Sequence, residues 1–272
     1  MLPLDGRSSQ YSQYKNSFSG NSGSGVGVGS GGFTVSSSLP EYLRRACDWH
    51  QMDLEATCDQ MVYLLTVYPQ RVYKSAQYRK QTKNQWARDD PGFALVQCCL
   101  LVVACVAFGL AFQVRGFWSY IGLICHSVLL HWLLMGVVVA TIGRAVANAY
   151  LLQHRSHSVE QTVEWLYAFD VHCNSFFLMF MLLYVVQFLL LPILLRENFI
   201  ALLMSNALYA AGFSIYAYIT CLGYQALPFL HKQGVFLWWP VVVIGVTFAV
   251  LLLLAVLGIR INLTRVVLGL YL

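Results

Sequence analysis

Between Phe93 and Gly258 the chain carries five apolar runs, each close to the ~20 residues that a helix needs to cross a bilayer. They cover residues 93–113, 117–141, 173–195, 199–222 and 235–258. Backbone N–H and C=O groups in hydrocarbon must be satisfied within the segment, so spans of this length have to be helical. The expectation is an all-α, polytopic membrane protein with five transmembrane helices. The composition agrees, because 58% hydrophobic against 11% charged residues is a membrane balance.

An odd number of spans puts the termini on opposite sides, and the cation count then chooses the side. Thirteen of the 17 Lys and Arg residues fall on residues 1–92 and on the connections near 142–172 and 223–234. The other side has only Arg115, Arg196, Arg260 and Arg265. The N-terminus is therefore expected in the cytosol and the C-terminus in the lumen, with 259–272 a short lumenal tail. Nothing before the first run has the build of a cleaved signal peptide. The eight cysteines lie in spans or on the cytosolic side and read as buried apolar residues or reduced thiols.

Residues 1–38 are rich in Ser, Gly, Asn and Gln, too polar to offset the entropy of ordering, and read as a disordered cytosolic tail. The glycines at 27, 29 and 32 match a dinucleotide-loop spacing, but no strand precedes them. Order is expected from Ser38, whose spacing to Glu41 is that of a capping box. Leu43, Cys47, Leu54, Cys58, Met61 and Leu65 then recur at helical intervals, giving one apolar face that either lies in the membrane interface or packs on the bundle, up to Pro69.

The next stretch, up to Pro91, crowds six cations, Arg71, Lys74, Arg79, Lys80, Lys83 and Arg88, among Tyr73, Tyr78 and Trp86. Residues 39–92 thus form one cytosolic unit, an amphipathic helix followed by a basic aromatic segment. Cations there attract anionic lipid at ~1 kcal/mol each, and rings anchor at headgroups. The same pattern also suits an acidic protein surface or an RNA backbone, and composition alone leaves all three open.

With its Tyr-Arg-Lys-Gln-Thr-Lys-Asn-Gln-Trp-Ala-Arg-Asp-Asp-Pro core at 78–91, this segment resembles the hallmark of the uncoordinated-fifty (Unc-fifty) family of Golgi membrane proteins. Val163-Glu-Trp-Leu-Tyr-Ala-Phe-Asp-Val-His172, followed by Asn174 and Phe176, resembles a second family motif; Gly223-Tyr-Gln-Ala-Leu-Pro-Phe-Leu230 resembles a third. The resemblance implies a role in trafficking rather than catalysis. It implies transport of membrane cargo such as nicotinic acetylcholine receptor subunits, a link to Sec7-type guanine-nucleotide exchange factors for Arf GTPases, and RNA binding as a further suggested property. It places the protein in the Golgi membrane, with the endoplasmic reticulum or inner nuclear membrane as other stations.

Within the five runs as drawn there is no Asp, Glu, Lys or Arg, which speaks against an ion-coupled transporter. His126, His131, Asn174, Gln187 and Asn206 are the notable polar groups there. On an α-helix the two histidines point about 140° apart, so no two-ligand face is expected from them. In the 142–172 loop, Ser158 and Gln161 suggest a short helix running toward the third span. Glu164, Trp165, Tyr167, Asp170 and His172 read as residues that dock this loop or recognise a partner. No catalytic, metal or cofactor site is assigned. Asn262-Leu263-Thr264 is a glycosylation sequon, but it lies too near the last span for its use to be expected.

The reading that follows is a non-enzymatic docking platform, formed by the cytosolic segments, that recruits trafficking machinery. Arg71, Lys74, Arg79, Lys80, Lys83, Trp86 and Arg88 would meet membrane lipids or an acidic partner. A small transporter or lipid-handling protein is one alternative, and an RNA-binding membrane protein is another.

Overall fold

The computed structural model describes residues 42, 44–45, 52–66, 68–88, 90–153 and 161–271. Two short helices, α1 (Leu54–Leu65) and α2 (Gln70–Lys83), lead into five long ones: α3 (Gly92–Ala111), α4 (Phe117–Tyr150), α5 (Trp165–Leu194), α6 (Phe199–Gln225) and α7 (Val235–Val256). A nine-residue terminal helix, α8 (Leu263–Tyr271), follows. Helices α3 to α7 are each long and apolar enough to cross a membrane, which gives the five expected spans. Among the described residues the extended pairing is a single antiparallel bridge between Leu152 and Leu230. The glycine-rich tail, the Ser38–Glu41 spacing, Leu43, Cys47 and Ser158 lie outside the described residues.

The helix ends follow from local chemistry. Asp53 caps α1 by accepting the Ala56 N–H at 2.9 Å. Helix α2 stops at Asn84, which takes the left-handed conformation (φ 54°), while Lys80 Nζ donates to the Asn84 carbonyl at 3.1 Å. Asp90 joins the entry of α1 to that of α3, accepting from the Asp53 N–H at 3.0 Å and from the Gly92 N–H at 2.9 Å. Asn198 caps α6 through the Ala201 N–H.

Two spans outrun their apolar runs. Helix α4 continues through Arg144 and Asn148 to Tyr150, and α5 already starts at Trp165, carrying Asp170 and His172. Hydropathy drops at these positions, yet their polar groups find partners at the bundle's end. Asn148 pairs with both main-chain groups of Val163 (2.8 and 3.2 Å), and Arg144 Nε donates to the same carbonyl. Residues 161–164 are non-helical, so the short helix expected from Ser158 onward does not extend through them.

Helix α5 is the axis of the bundle. Every side chain from Leu166 to Leu178 is buried, packed mainly between α4 and α6. Helix α7 lies at the edge against α6, with Ala255 its one buried residue. Its outer surface, Trp238, Trp239, Val243 and Val246 among it, is left to the surroundings, as suits a lipid-facing helix.

One face left open is resolved and one expectation is corrected. In α1 the buried residues are Thr57, Met61 and Leu64, while Leu54, Cys58 and Leu65 face outward beside Val62. The inward face is chosen by a polar contact, since Gln60 Nε2 reaches Asn174 Oδ1 of α5 at 2.6 Å. In α4, residues His126–Leu134 are wound as a π-helix. With an i→i+5 repeat, residues five apart share a face, and the rings of His126 and His131 lie 5.1 Å apart instead of diverging. A second π stretch, Met181–Val186, interrupts α5.

Candidate functional site

The basic segment is seated on the end of the bundle rather than lying free. Beyond Asn84 the chain crosses the start of α5, where two carboxylates receive it by its backbone. Glu164 accepts from the Trp86 N–H (3.1 and 3.2 Å) and the Ala87 N–H (3.0 Å), and Asp170 accepts from the Arg88 N–H at 2.8 Å. Charge-assisted bonds of this kind are stronger than neutral ones. The Arg88 guanidinium donates to Asn174 Oδ1 at 3.1 Å and lies 5.0 Å over the Phe93 ring. Arg79 reaches back to the Trp86 carbonyl at 3.2 Å. Of the six cations, Arg79 and Arg88 are thus turned into the seat, and Lys80 caps its own helix with Nζ 5.9 Å over the Trp86 ring. Arg71, Lys74 and Lys83 are exposed on α2.

Trp86 is buried, its ring 6.3 Å from Tyr167 of α5 and 5.9 Å from Phe229 in the turn between α6 and α7. Tyr167 donates to the Gly223 carbonyl at 2.7 Å, and Tyr73 of α2 donates to the Ile219 carbonyl at 3.1 Å. Burial pushes the Tyr73 phenol above its ordinary range, so it stays a neutral donor. Close packing makes room for these bonds: a Cβ at Gly223 would come within 2.6 Å of Val171. The connection between α4 and α5 joins in, for the Gln153 N–H donates to the Phe229 carbonyl and the His231 N–H to that of Leu151. Residues 78–91, 163–176 and 223–230, far apart in sequence, therefore meet at one end of the molecule.

Trp165 and His172 belong to this start of α5 but face α4. Trp165 stacks on Phe169 (5.5 Å, 11° between planes) and donates to Thr141. His172 bridges helices: Nε2 lies 3.1 Å from the Trp132 carbonyl, which can only accept, and Nδ1 lies 2.8 Å from the Tyr216 hydroxyl. The imidazole is therefore an Nε2–H tautomer accepting from Tyr216. Sequence reading passed over Gln97, a lone amide inside the first apolar run. It is fully buried, donates to the Cys173 carbonyl at 3.1 Å and accepts from Trp132 Nε1 at 3.0 Å, tying α3 to α5 and α4. Its isolation among apolar neighbours was the available signal.

At the other end, Asn262 donates to the Leu194 carbonyl at 2.8 Å and is buried; Thr264 is buried beside it, with Ser205 donating to its hydroxyl at 2.8 Å and accepting its N–H at 2.9 Å. Asn206 accepts from the Leu263 N–H and donates to the Ile261 carbonyl. The chain after Gly258 is thereby anchored to α6.

A family model described as the UNC-50 family matches residues 42–272. Among curated proteins, the chain is 47% identical over 221 residues to the Protein unc-50 homolog of Dictyostelium discoideum, spanning 81% of this chain and 83% of that one. It is 41% identical over 208 residues to the Protein unc-50 homolog of Homo sapiens, spanning 76% and 78%. To the Drosophila melanogaster homolog it is 37% identical over 219 residues, spanning 80% and 76%. No solved structure matches.

Proposed function

The chain belongs to the UNC-50 family, and we propose that it serves in the Golgi membrane as a non-catalytic docking platform for vesicle-trafficking machinery. Its basic end faces the cytosol and recruits a Sec7-type Arf exchange factor. In this way it supports delivery of membrane cargo, such as nicotinic acetylcholine receptor subunits, to the cell surface.

The observation that carries this reading is the rigid seating of α2. Glu164 and Asp170 fix the chain after α2 by three backbone N–H groups, and Tyr73 pins α2 itself to α6. Arg71, Lys74 and Lys83 are then presented on one ordered helix immediately before the first span. Cations held at that level suit an acidic protein surface lying on anionic lipid, and a partner that meets them in place does not have to order the segment first.

The test separates the exposed cations from those that build the seat. Cells lacking the protein would receive the wild-type chain, a Lys74→Gln chain with Arg71→Gln and Lys83→Gln added, or an Arg79→Gln/Arg88→Gln chain. The amount of Arf exchange factor on Golgi membranes is the readout. The triple variant should insert and localise normally yet recover little exchange factor, whereas the double variant should lose protein level first. Full recovery by the triple variant would refute the platform.

A further inference from the structure

We propose that the bundle holds an intramembrane binding site for one uncharged, hydroxyl-bearing lipid, in a cavity formed where the two π stretches face each other. The cavity, about 510 Å³, is walled by α3, α4, α5 and α6, with Val267 and Leu268 of α8 also lining it. That volume falls in the range of ligand sites, ~300–1,000 Å³. It does not depend on the platform reading, since it lies away from the basic segment.

The walls are apolar except for a small set of neutral polar groups that includes Ser127, His131, Tyr184, Gln187, Tyr209 and Tyr216. Gln187 lies seven residues before the end of α5, about 10 Å along the axis at 1.5 Å per residue. That depth is inside hydrocarbon, where polar side chains are costly unless they are paired or used. Some are paired, with His131 Nδ1 3.3 Å from the Tyr184 hydroxyl and Gln187 Nε2 donating to the Tyr209 hydroxyl at 3.2 Å. Gln187 is buried, yet among the described residues its Oε1 accepts from no group. If the amide is turned round, the Tyr209 hydroxyl satisfies the oxygen and the NH2 is orphaned instead. Either way one end of a buried amide is left over, at a cost of ~1–3 kcal/mol.

The chemistry of the occupant follows from this wall. Among the described residues no Asp, Glu, Lys or Arg lines the cavity, so a phosphate or ammonium headgroup would be buried there without a counter-charge. An acyl chain alone would need none of the polar groups. A hydroxyl, donor and acceptor at once, meets the left-over end of the Gln187 amide when that side chain, now sealed behind the wall it helps line, turns toward the cavity, while a compact apolar body fills the rest. Sterols and acylglycerols share that chemistry. The π stretches supply the geometry: they turn His131 and Tyr184 to the same space and interrupt the regular helix surfaces that would otherwise close on each other, a role for which such bulges recur at functional sites.

The test uses the full chain in phosphatidylcholine nanodiscs with clickable, photoactivatable analogues of a sterol, a monoacylglycerol and phosphatidylserine. The expected result is saturable labelling by the sterol or the acylglycerol probe, whichever is the source, competed by the same unlabelled lipid and mapped by peptide sequencing to α4 and α5. Gln187→Leu, close in volume, should cut that labelling at least tenfold, and Val139→Trp should abolish it by filling the cavity. Labelling that is unsaturable and centred on α7, or equal labelling by phosphatidylserine, would mean annular lipid only and overturn the site. The mapped peptides of the wild-type chain decide between these outcomes even if neither variant folds.

Discussion

At the level of single residues, the carboxylates of the basic end receive backbone N–H groups. Glu164 takes two consecutive N–H groups of buried residues, Trp86 and Ala87. Removing it leaves two donors without an acceptor, at ~1–3 kcal/mol each. Glu164→Ala should therefore lower the thermal midpoint of the purified chain clearly, and Glu164→Gln, which keeps one oxygen, by less. Equal midpoints for the two variants would contradict this account. Gly136 tests the packing beneath His172: a Cβ there would lie 2.6 Å from His172 Cδ2 and 2.7 Å from Nε2. Overpacking of that kind costs ~1–3 kcal/mol. Gly136→Ala should be destabilising alone, and combined with His172→Ala the total loss should fall short of the sum, because the ring that collides is gone. Additive midpoints would show that the two residues do not compete for the same space.

Among the elements, the five spans were legible because hydropathy over ~20 residues is a strong signal that packing rarely overrides. Their ends were not, since Asn148, Asp170 and His172 read as loop residues until their partners, Val163, Arg88 and Tyr216, are in view. The π stretches were illegible for a different reason: an apolar run looks the same whether its bonds go i→i+4 or i→i+5, so the meeting of His126 and His131 could not be read from spacing. The candidate site was half visible. The three motifs stood out as sequence, but not that Trp86, Tyr167 and Phe229 pack together, nor that Arg79 and Arg88 turn inward while Arg71 and Lys74 do not. Helix α1 shows the same limit, because its apolar stripe left open whether it lies in the interface or packs on the bundle, and among the described residues only Met61 of it is buried. With Gln60 holding Thr57 and Met61 toward the bundle, Leu54, Val62 and Leu65 form an outward apolar face next to the first span. This face should rest in the headgroup region. A fluorophore on Leu65→Cys should be quenched by brominated lipid in nanodiscs, and one on Lys74→Cys much less; equal quenching would place α1 clear of the membrane.

Over the whole molecule, two different devices close the two ends of the bundle, and they make topology and burial separable in one experiment. The basic end is closed by residues from three distant stretches, and the cation count of thirteen against four expects it in the cytosol. The opposite end is closed by the chain after Gly258, where Asn262 and Thr264, the two determinants of the sequon, are spent on Leu194 and Ser205. An acceptor asparagine must offer its amide nitrogen to the transferase, but the nitrogen of Asn262 is buried as a donor to a main-chain carbonyl. Asn262 should therefore carry no glycan even though the expected orientation would put it in the lumen. A second sequon, placed beyond Leu272 on a flexible Gly/Ser extension, should be modified. Endoglycosidase treatment should shift the extended chain and leave the parent unchanged. Asn262→Gln should leave the mobility of either chain as it was while lowering the thermal midpoint, because the bond to Leu194 is lost. A glycan on Asn262 would mean that α8 is not anchored as described, whereas an unmodified extension together with a protease-protected N-terminus would reverse the orientation and remove the basic end from the reach of any cytosolic partner.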